Sequence, residues 1–250
     1  MKIQLIRSAT LRLEYAGRKV LIDPYLAAKH SRPSYTGKSP NPLIELPFPA
    51  EQVIAGVEVV VISHLHSDHF DPAAQSLLPK HLPVLCQPGD ESTIKAKGFT
   101  HVTPVEDHLV WQGIKVTRTA GQHGGEDVLQ EMGTVSGFVF QAQGEPTIYW
   151  VGDTIWYPPV QAVIERVQPE IIITHSSGAV WGKGTLIVMD AAQTMEVCRA
   201  APYSTVIAVH LDSLDHGTVT RHELRAHAEA TGIGPERLLI PADGEVLSFG

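Results

Sequence analysis

The stretch VVVISHLHSDHFDP, residues 59–72, places three histidines and an aspartate directly behind a run of β-branched residues. Val59–Ile62 is continuously apolar, which is typical of a strand that is buried on both faces. The polar side chains begin where that run ends, in the pattern HxHxDH. The chain has 13 histidines in 250 residues, and at that frequency the pattern arises by chance on the order of once in a thousand such chains. Accident is therefore a poor explanation for it.

The spacing within this pattern predicts two metal ions better than one. His64 and His66 are two residues apart, so in an extended segment their side chains leave on the same side and can share a metal. Asp68 and His69 are adjacent and must diverge, which places them more easily on a second metal. Two ions need more ligands than these four residues supply, so the others must come from distant parts of the chain.

Further ligands are expected where other apolar strands end, because sites on sheet scaffolds are built there. His123 follows IKVTRT among glycines, Asp153 follows TIYWV, and His210 follows STVIAV. His216, six residues after His210, is a rival for the last position. His175 ends the strand EIIIT and is either a substrate contact or a structural histidine.

The composition describes an ordinary globular enzyme, with 43% hydrophobic and 18% charged residues. A formal charge of −8 and the absence of a run of Lys or Arg argue against a basic surface that would bind nucleic acid or an anionic membrane. No segment approaches the roughly 20 apolar residues of a membrane span, and the amino terminus does not read as a signal peptide. Cys86 and Cys198 are isolated in apolar contexts and are interpreted as buried hydrophobes. We therefore expect a cytoplasmic enzyme.

The pattern of apolar residues predicts many strands with helices between them. An opening meander is predicted in KIQLIR, TLRLEY and KVLID, with a hairpin turn at residues 16–18. Later strands are predicted in PVLC, IKVTRT, SGFVFQA, TIYWVG, EIIIT, STVIAV, RLLI and EVLSF. Helices are predicted at 72–78, 89–97, 158–167, 189–200 and 221–230. This alternation, without an obvious linker, predicts one domain over 1–250 in which sheets pack together with helices outside.

HxHxDH followed by a lone His, Asp and His at later strand ends resembles the metallo-β-lactamase superfamily of metal-dependent hydrolases. The resemblance covers nearly the whole chain, from VLIDP to the last strand. It implies an α+β fold, a four-layer αββα sandwich made of two similar halves. Within the superfamily, GRKVLIDPYL, SHLHSDHFD and VGDT are similar to the branch that includes ascorbate phosphate lactonase and N-acyl phosphatidylethanolamine phospholipase D.

The resemblance also implies the role of each candidate residue. It assigns seven ligands to two divalent metal ions: His64, His66 and His123 to one, Asp68, His69 and His210 to the other, and Asp153 to both. Asp23 of LIDP matches an acid that orients ligands from behind. Because no cysteine takes part, zinc is the expected metal and manganese the alternative.

The expected reaction is hydrolysis of an ester, lactone or phosphodiester bond in a small substrate. A hydroxide generated at the metals would attack the carbonyl or phosphoryl centre, while Asp68 orients it and accepts its proton. One alternative is an iron-dependent redox enzyme on the same fold. Another is a nucleic-acid-processing hydrolase, against which the acidic balance counts.

Residues 26–50 carry five prolines and no consistent period, which predicts a long loop. Its start follows Asp23 and its end leads into the strand before His64, so both ends are expected near the metals. We expect Tyr35 and Phe48 to wall the substrate pocket, with a contact between subunits of a homo-oligomer as the alternative.

Overall fold

Two seven-stranded β-sheets pack face to face in the computed structural model, which describes residues 1–249. The strands are β1 Lys2–Arg7, β2 Thr10–Tyr15, β3 Arg18–Ile22, β4 Val59–Ile62, β5 Pro83–Cys86, β6 His101–Pro104, β7 His108–Trp111, β8 Ile114–Ala120, β9 Ser136–Gln141, β10 Ile148–Trp150, β11 Ile171–His175, β12 Val180–Trp181, β13 Thr185–Leu186, β14 Thr205–Val209, β15 Leu238–Leu239 and β16 Val246–Ser248. The helices are α1 Ala50–Ile54, α2 Pro72–Leu77, α3 Glu91–Ala96, α4 Leu129–Met132, α5 Pro158–Val167, α6 Ala191–Ala200 and α7 Arg221–Ala230.

The two sheets repeat one plan, which confirms the expected two similar halves. The first has the order β16-β1-β2-β3-β4-β5-β6 and the second the order β15-β14-β11-β10-β9-β8-β7. In each sheet an antiparallel meander leads into parallel strands: β1 to β3 precede β4 to β6, and β7 to β10 precede β11, β14 and β15.

Three apolar layers separate the four structural layers. The middle layer joins the sheets and includes Leu13 and Val61 from the first and Phe138 and Trp150 from the second, whose rings stack 6.2 Å apart. A second layer lies between the first sheet and α1 to α3, and a third between the second sheet and α5 to α7. Strands that are covered on both faces must be apolar throughout, which is why VVVI and IIIT carry no alternation. The αββα sandwich is thereby confirmed.

The turn and helix-capping residues lie where the sequence predicts them. Ala16 and Gly17 both have positive φ, at 50° and 72°, as a tight hairpin between β2 and β3 requires. Asp71 caps α2 by accepting hydrogen bonds from the amides of Ala73 and Ala74, with proline next in the chain. Thr220 and Glu223 form the predicted capping box of α7.

Six short elements were not predicted from the sequence, and they are β6, β7, β12, β13, α1 and α4. Their burial is incomplete, as in β7, where exposed and half-buried residues alternate. Such segments have too few apolar residues to show a period. Residues 26–49 form no regular strand, as expected, and contain one isolated bridge between Arg32 and Asn41.

Within residues 1–249, no helix combines the length and the apolar character that crossing a membrane requires.

The carboxyl ends of the parallel strands open onto one rim of the sandwich. Asp23 follows β3, His64 follows β4, Asp153 follows β10, and His210 follows β14. In parallel strands these ends lie side by side, so residues distant in sequence meet.

Gly152 shows how closely this rim is packed. It has φ +75°, and a Cβ there would lie 2.7 Å from the carbonyl oxygen of Ser136 on the neighbouring strand. Gly144 has a similar φ of +77° with nothing within 4 Å of such a Cβ. Alanine variants at these two positions therefore separate the energetic cost of backbone strain from that of a steric clash.

We expect Gly144→Ala to lower the free energy of unfolding by about 1 kcal/mol, which is the cost of holding a Cβ in the left-handed region. Gly152→Ala should lose a further 1–3 kcal/mol or so, because the clash forces the backbone before Asp153 to move. Urea denaturation of both variants measures the difference. Equal losses would show that the rim accommodates a methyl group at Gly152.

Candidate metal centre

Histidines and carboxylates from both sheets converge at the rim in two groups. In each group the potential ligand atoms all lie within 4.8 Å of one another. The groups are His64, His66 and His123, and Asp68, His69, Asp153 and His210. These are the seven positions that the sequence analysis named, and six of the side chains are buried while His66 is half-buried. The cluster can bind metal.

The carboxylate of Asp153 lies between the two groups. Its Oδ2 is 3.2 Å from Nε2 of His69 in one group and 3.5 Å from Nε2 of His123 in the other. Asp153 ends β10 in the second half, whereas His69 belongs to the first half. The contact therefore joins the halves through one oxygen atom.

Asp68 also lies close to two histidines, through one of its carboxylate oxygens. Its Oδ2 lies 3.4 Å from Nε2 of His69 and 3.4 Å from Nε2 of His210. Its other oxygen, Oδ1, accepts a hydrogen bond from the Tyr35 hydroxyl at 3.2 Å. One oxygen thus faces the cluster, and the other is held from outside it.

The histidine rings are held by their Nδ1 atoms, which leaves Nε2 facing the cluster. Nδ1 of His69 donates to Asp23 Oδ2 at 2.6 Å, and Nδ1 of His123 donates to the Ile187 carbonyl at 2.8 Å. His64 Nδ1 lies 2.8 Å from Ser63 Oγ, and His210 Nδ1 lies 3.3 Å from Ser177 Oγ. A proton on Nδ1 leaves the Nε2 lone pair free to bind a metal.

The Nε2 atoms themselves lack hydrogen-bond partners. Among the described residues this holds for the buried Nε2 of His64, His69 and His210. A buried polar atom without a partner costs about 1–3 kcal/mol, so three together at one point need an explanation. Bound divalent cations would supply it, because they would accept the lone pairs of these nitrogen atoms. The residues present therefore fit a metal.

Asp23 orients ligand rings of both groups from behind. It accepts hydrogen bonds from Nδ1 of His69 and from the Ser63 hydroxyl, each at 2.6 Å, and from the Ser63 amide at 2.8 Å. The Ser63 oxygen in turn contacts Nδ1 of His64. The geometry matches the orienting role that the sequence analysis expected of Asp23. Ser63 is a member of this network that the analysis missed, although it directly precedes His64.

The electrostatics of the cluster favour a bound cation. Burial opposes the charge of Asp153, but His69, His210 and His123 outweigh it and hold the pKa of this carboxyl well below its usual value. Burial also opposes the charge of His69, but Asp153, Asp68 and Asp23 raise the pKa of this imidazole well above its usual value. Burial lowers the pKa of His123 to about 4, so that ring is neutral near pH 7 and its Nε2 is available. A divalent ion would replace the proton on His69 Nε2, and the ionised carboxylate of Asp153 and the neutral His123 are donors of the kind that such an ion binds.

A cavity of about 260 Å³ opens beside the cluster. Its lining contains members of both groups and a wall of larger side chains. The lining residues are Tyr35, His66, Ser67, Asp68, His123, Glu131, Met132, Asp153, Trp181, Ile187 and His216. Of the proposed substrate contacts, Tyr35 and His216 therefore lie in the pocket wall, with their rings edge to face at 4.8 Å. Trp181 and Met132 were missed, because they belong to the short elements β12 and α4.

Two proposed substrate contacts lie elsewhere. Phe48 packs against the apolar layer behind the first sheet, and it lines a separate groove with Leu26 and Leu46. The expectation that Phe48 walls the pocket is wrong, because its ring packs against that apolar layer. His175 is buried behind Asp153 and does not line the cavity, which favours the structural alternative for this residue over the substrate contact.

Comparison with known proteins agrees with this geometry. The model of the β-lactamase superfamily domain matches residues 18–211. The protein YddR of Bacillus subtilis, of the UPF0173 group, is 36% identical over the full length of both chains. Among solved structures, an isothiocyanate hydrolase from gut bacteria of Delia radicum has 36% identity, a TM-score of 0.95 and coverage of 100% of this chain and 99% of that one. A possible metal-dependent hydrolase from Veillonella parvula has 31% identity, a TM-score of 0.96 and the same coverage.

The αββα sandwich with a histidine and aspartate cluster at one rim defines the class of metal-dependent hydrolases, and this protein is one of them. The chain belongs to the β-lactamase superfamily, and within it to the UPF0173 group. The resemblance to the superfamily is confirmed, and the branch within it stays a prediction.

His175 has a different task in this geometry. Its Nδ1–H donates to Oδ1 of Asp153 at 2.5 Å, which leaves Oδ2 of that carboxylate to face the cluster. Loss of this hydrogen bond should let the Asp153 carboxylate rotate. We expect His175→Leu to weaken metal binding about 10- to 100-fold, as is typical when a partner behind a ligand is removed.

His175→Asn is the matched control, because its amide can donate from nearly the same place as Nδ1. It should keep most of the affinity. Competition with a chromophoric chelator measures the metal affinity, and circular dichroism checks the fold. Equal affinity in the Leu variant and the original protein would show that Asp153 needs no such partner.

Proposed function

We propose that the protein holds two divalent metal ions and hydrolyses a small, uncharged electrophile in the adjoining pocket. The observation that carries the proposal is the position of Asp153 Oδ2, within 3.5 Å of Nε2 of a histidine from each ligand group. His64, His66 and His123 would hold one ion, Asp68, His69 and His210 the other, and Asp153 both. Imidazole and carboxylate donors favour zinc, with manganese as the alternative.

Bound metals would supply a water of lowered pKa and polarise the bond under attack. Asp68 is suited to orient that water and to take its proton. Burial opposes the charge of this carboxyl, but His69 and His210 keep its pKa well below the usual value, so it is ionised near neutral pH. The Tyr35 hydroxyl fixes Oδ1, which keeps Oδ2 toward the reacting centre.

The pocket favours a small substrate. A volume of about 260 Å³ lies below the roughly 300–1,000 Å³ of pockets that bind drug-sized ligands. Bound metals would reduce this space further. A nucleic acid strand does not fit, and the acidic chain offers it no basic surface.

The chemistry of the lining favours an uncharged substrate with an apolar substituent. The residues that line the cavity include no lysine or arginine that could pair with a phosphate, and Glu131 would repel one. Met132, Trp181 and Ile187 provide an apolar wall. This argues against a phosphodiester and leaves neutral carbon electrophiles, of which esters and lactones are one kind.

Isothiocyanates are the leading class among these electrophiles. The similar solved structure at 36% identity is named an isothiocyanate hydrolase, and its fold covers this whole chain. An isothiocyanate, R–N=C=S, is small and uncharged, with an electrophilic central carbon. Water would add to that carbon with its oxygen, while Asp68 takes one proton and delivers it to the nitrogen. The resulting thiocarbamic acid, R–NH–C(=S)–OH, then passes its O–H proton to the nitrogen as the C–N bond breaks, so that R–NCS and H₂O give R–NH₂ and COS.

Protein purified with added zinc or manganese should contain close to two equivalents of metal per chain, because both ligand groups are complete. Elemental analysis by mass spectrometry measures this. A His66→Ala, Asp153→Ala double variant should lose most of the metal, since one ligand of each group is gone. Two equivalents retained in that variant would show that other residues bind the metal, and native iron would favour the redox alternative.

Asp68→Asn should lower kcat at least a hundredfold, the lower end of what a positioned acid–base group contributes. Turnover is measured as amine release from allyl isothiocyanate, next to a carboxylic ester, a lactone and a phosphodiester. Asp107→Asn, at an exposed position, is the matched control and should be unchanged. Faster turnover of the phosphodiester than of every neutral substrate would contradict the proposed substrate class.

A further inference from the structure

A single carboxylate fastens the strap, the name we give to residues 31–41 of the long loop. Asp215 lies in the segment that follows β14 and does not line the pocket. It accepts five hydrogen bonds from the strap. The donors are the Ser34 hydroxyl, the Tyr35 amide at 3.0 Å, the Thr36 amide at 3.1 Å, the Thr36 hydroxyl at 2.6 Å and the Asn41 side-chain amide at 2.9 Å.

Apart from these bonds, the strap is attached to the body of the protein mainly through the Tyr35 side chain, which packs against the buried cluster of Tyr25, Ala27 and Leu214. Of its eleven residues only Asn41 is buried, so apolar packing stabilises it weakly. Its two ends are joined by backbone hydrogen bonds between Arg32 and Asn41, at 2.7 and 2.9 Å. These bonds close the strap into a loop, but they do not attach its tip to the body of the protein. Asp215 makes that attachment together with the Tyr35 side chain, and Asp215 is the group that binds the backbone amides of the tip.

Tyr35 is the residue through which the strap reaches the active site. Its hydroxyl lies 2.9 Å from Ser67 Oγ and donates to Asp68 Oδ1 at 3.2 Å. Its ring stands edge to face with Trp181 at 6.1 Å and with His216 at 4.8 Å. One side chain thus closes the pocket wall and touches a residue of the metal cluster.

We propose that Asp215 is a positioning residue for substrate specificity, which acts by holding Tyr35 as the wall against which a large bound substituent packs. The proposal rests on the proposed function, since it concerns the same pocket. Without the clasp, the Tyr35 ring would leave the wall part of the time, and a large substituent would lose its contact surface. A small substituent that does not reach the wall would be little affected.

The ionised state of Asp215 suits this role. Burial raises its pKa, but the hydrogen bonds from Ser34, Thr36 and Asn41 outweigh that effect and hold the pKa well below its usual value. A carboxylate accepts several hydrogen bonds at once, whereas an asparagine offers one oxygen and presents an amide to the remaining donors. Asp215→Asn is therefore a small change in shape that should release the strap.

Hydrogen–deuterium exchange tests the clasp without any substrate. In Asp215→Asn, peptides that contain the Tyr35 and Thr36 amides should exchange at least tenfold faster than in the original protein. Metal content should be unchanged, since Asp215 touches no ligand, and Asp107→Asn should exchange as the original does. Unchanged exchange in the strap would overturn the proposal, whatever the substrate proves to be.

A double-variant cycle tests whether Asp215 acts through Tyr35. With benzyl isothiocyanate, Asp215→Asn should raise KM about tenfold, because a wall contributes to binding in ground and transition states alike. Loss of the Tyr35 contact with Asp68 should lower kcat by the same factor for every substrate, so the effect on specificity is measured by KM alone. With allyl isothiocyanate, KM should change less than twofold. In a Tyr35→Ala background, Asp215→Asn should have no further effect on either KM. Equal effects on the two KM values, or additive effects in the double variant, would show a merely structural role.

The two hypotheses fail in different ways. If the original protein turns over no isothiocyanate, the proposed substrate class is wrong, and the same cycle is run with a short and a long ester. If turnover is found but exchange and the cycle show no coupling, the substrate class stands and the clasp is wrong.

Discussion

The carboxylate of Asp153 is the interaction on which the arrangement of the site depends. It is buried, it ends the central strand of the second half, and its Oδ2 reaches histidines on both sides. A buried anion is costly unless it is compensated, and here the compensation comes from three directions at once. The neighbouring histidines lower the pKa of the carboxyl, and His175 donates a hydrogen bond to Oδ1. The Nε2 atoms that lack hydrogen-bond partners are available to bind a cation.

The sandwich makes this convergence possible because two similar sheets bring their rims together. The middle apolar layer fixes the distance between the sheets, and the parallel strands of each sheet direct their polar ends to the same side. The strands themselves can then be wholly apolar, since all the polar chemistry lies beyond their last residues. The apolar residues of each strand therefore stabilise the fold, and the polar residues that follow the strand form the site.

The long loop after Asp23 adds what the strands do not provide, which is a wall for the substrate. The strap within this loop is held by polar contacts to Asp215 and Asp68 and by packing of the Tyr35 ring, whereas its other residues make little apolar contact. A wall of this kind can change between relatives without disturbing the core, because few apolar contacts depend on it. The same loop also carries Phe48, whose ring packs on the core side and takes no part in the pocket.

By itself, the sequence was sufficient for the sandwich and for the seven residues of the cluster. Continuous apolar runs mark strands covered on both faces, and HxHxDH behind VVVI is too specific to be accidental. The shortest elements left no periodic signal. The positions of His175, His216 and Phe48 could not be predicted from the sequence either, since each follows from where a loop or strand end turns in space. His175 and His210 both end neighbouring parallel strands, and only the packed structure places one behind Asp153 and the other beside Asp68. Adjacent strand ends look alike in sequence, whereas burial and the direction of each side chain are decided by the contacts between the two halves.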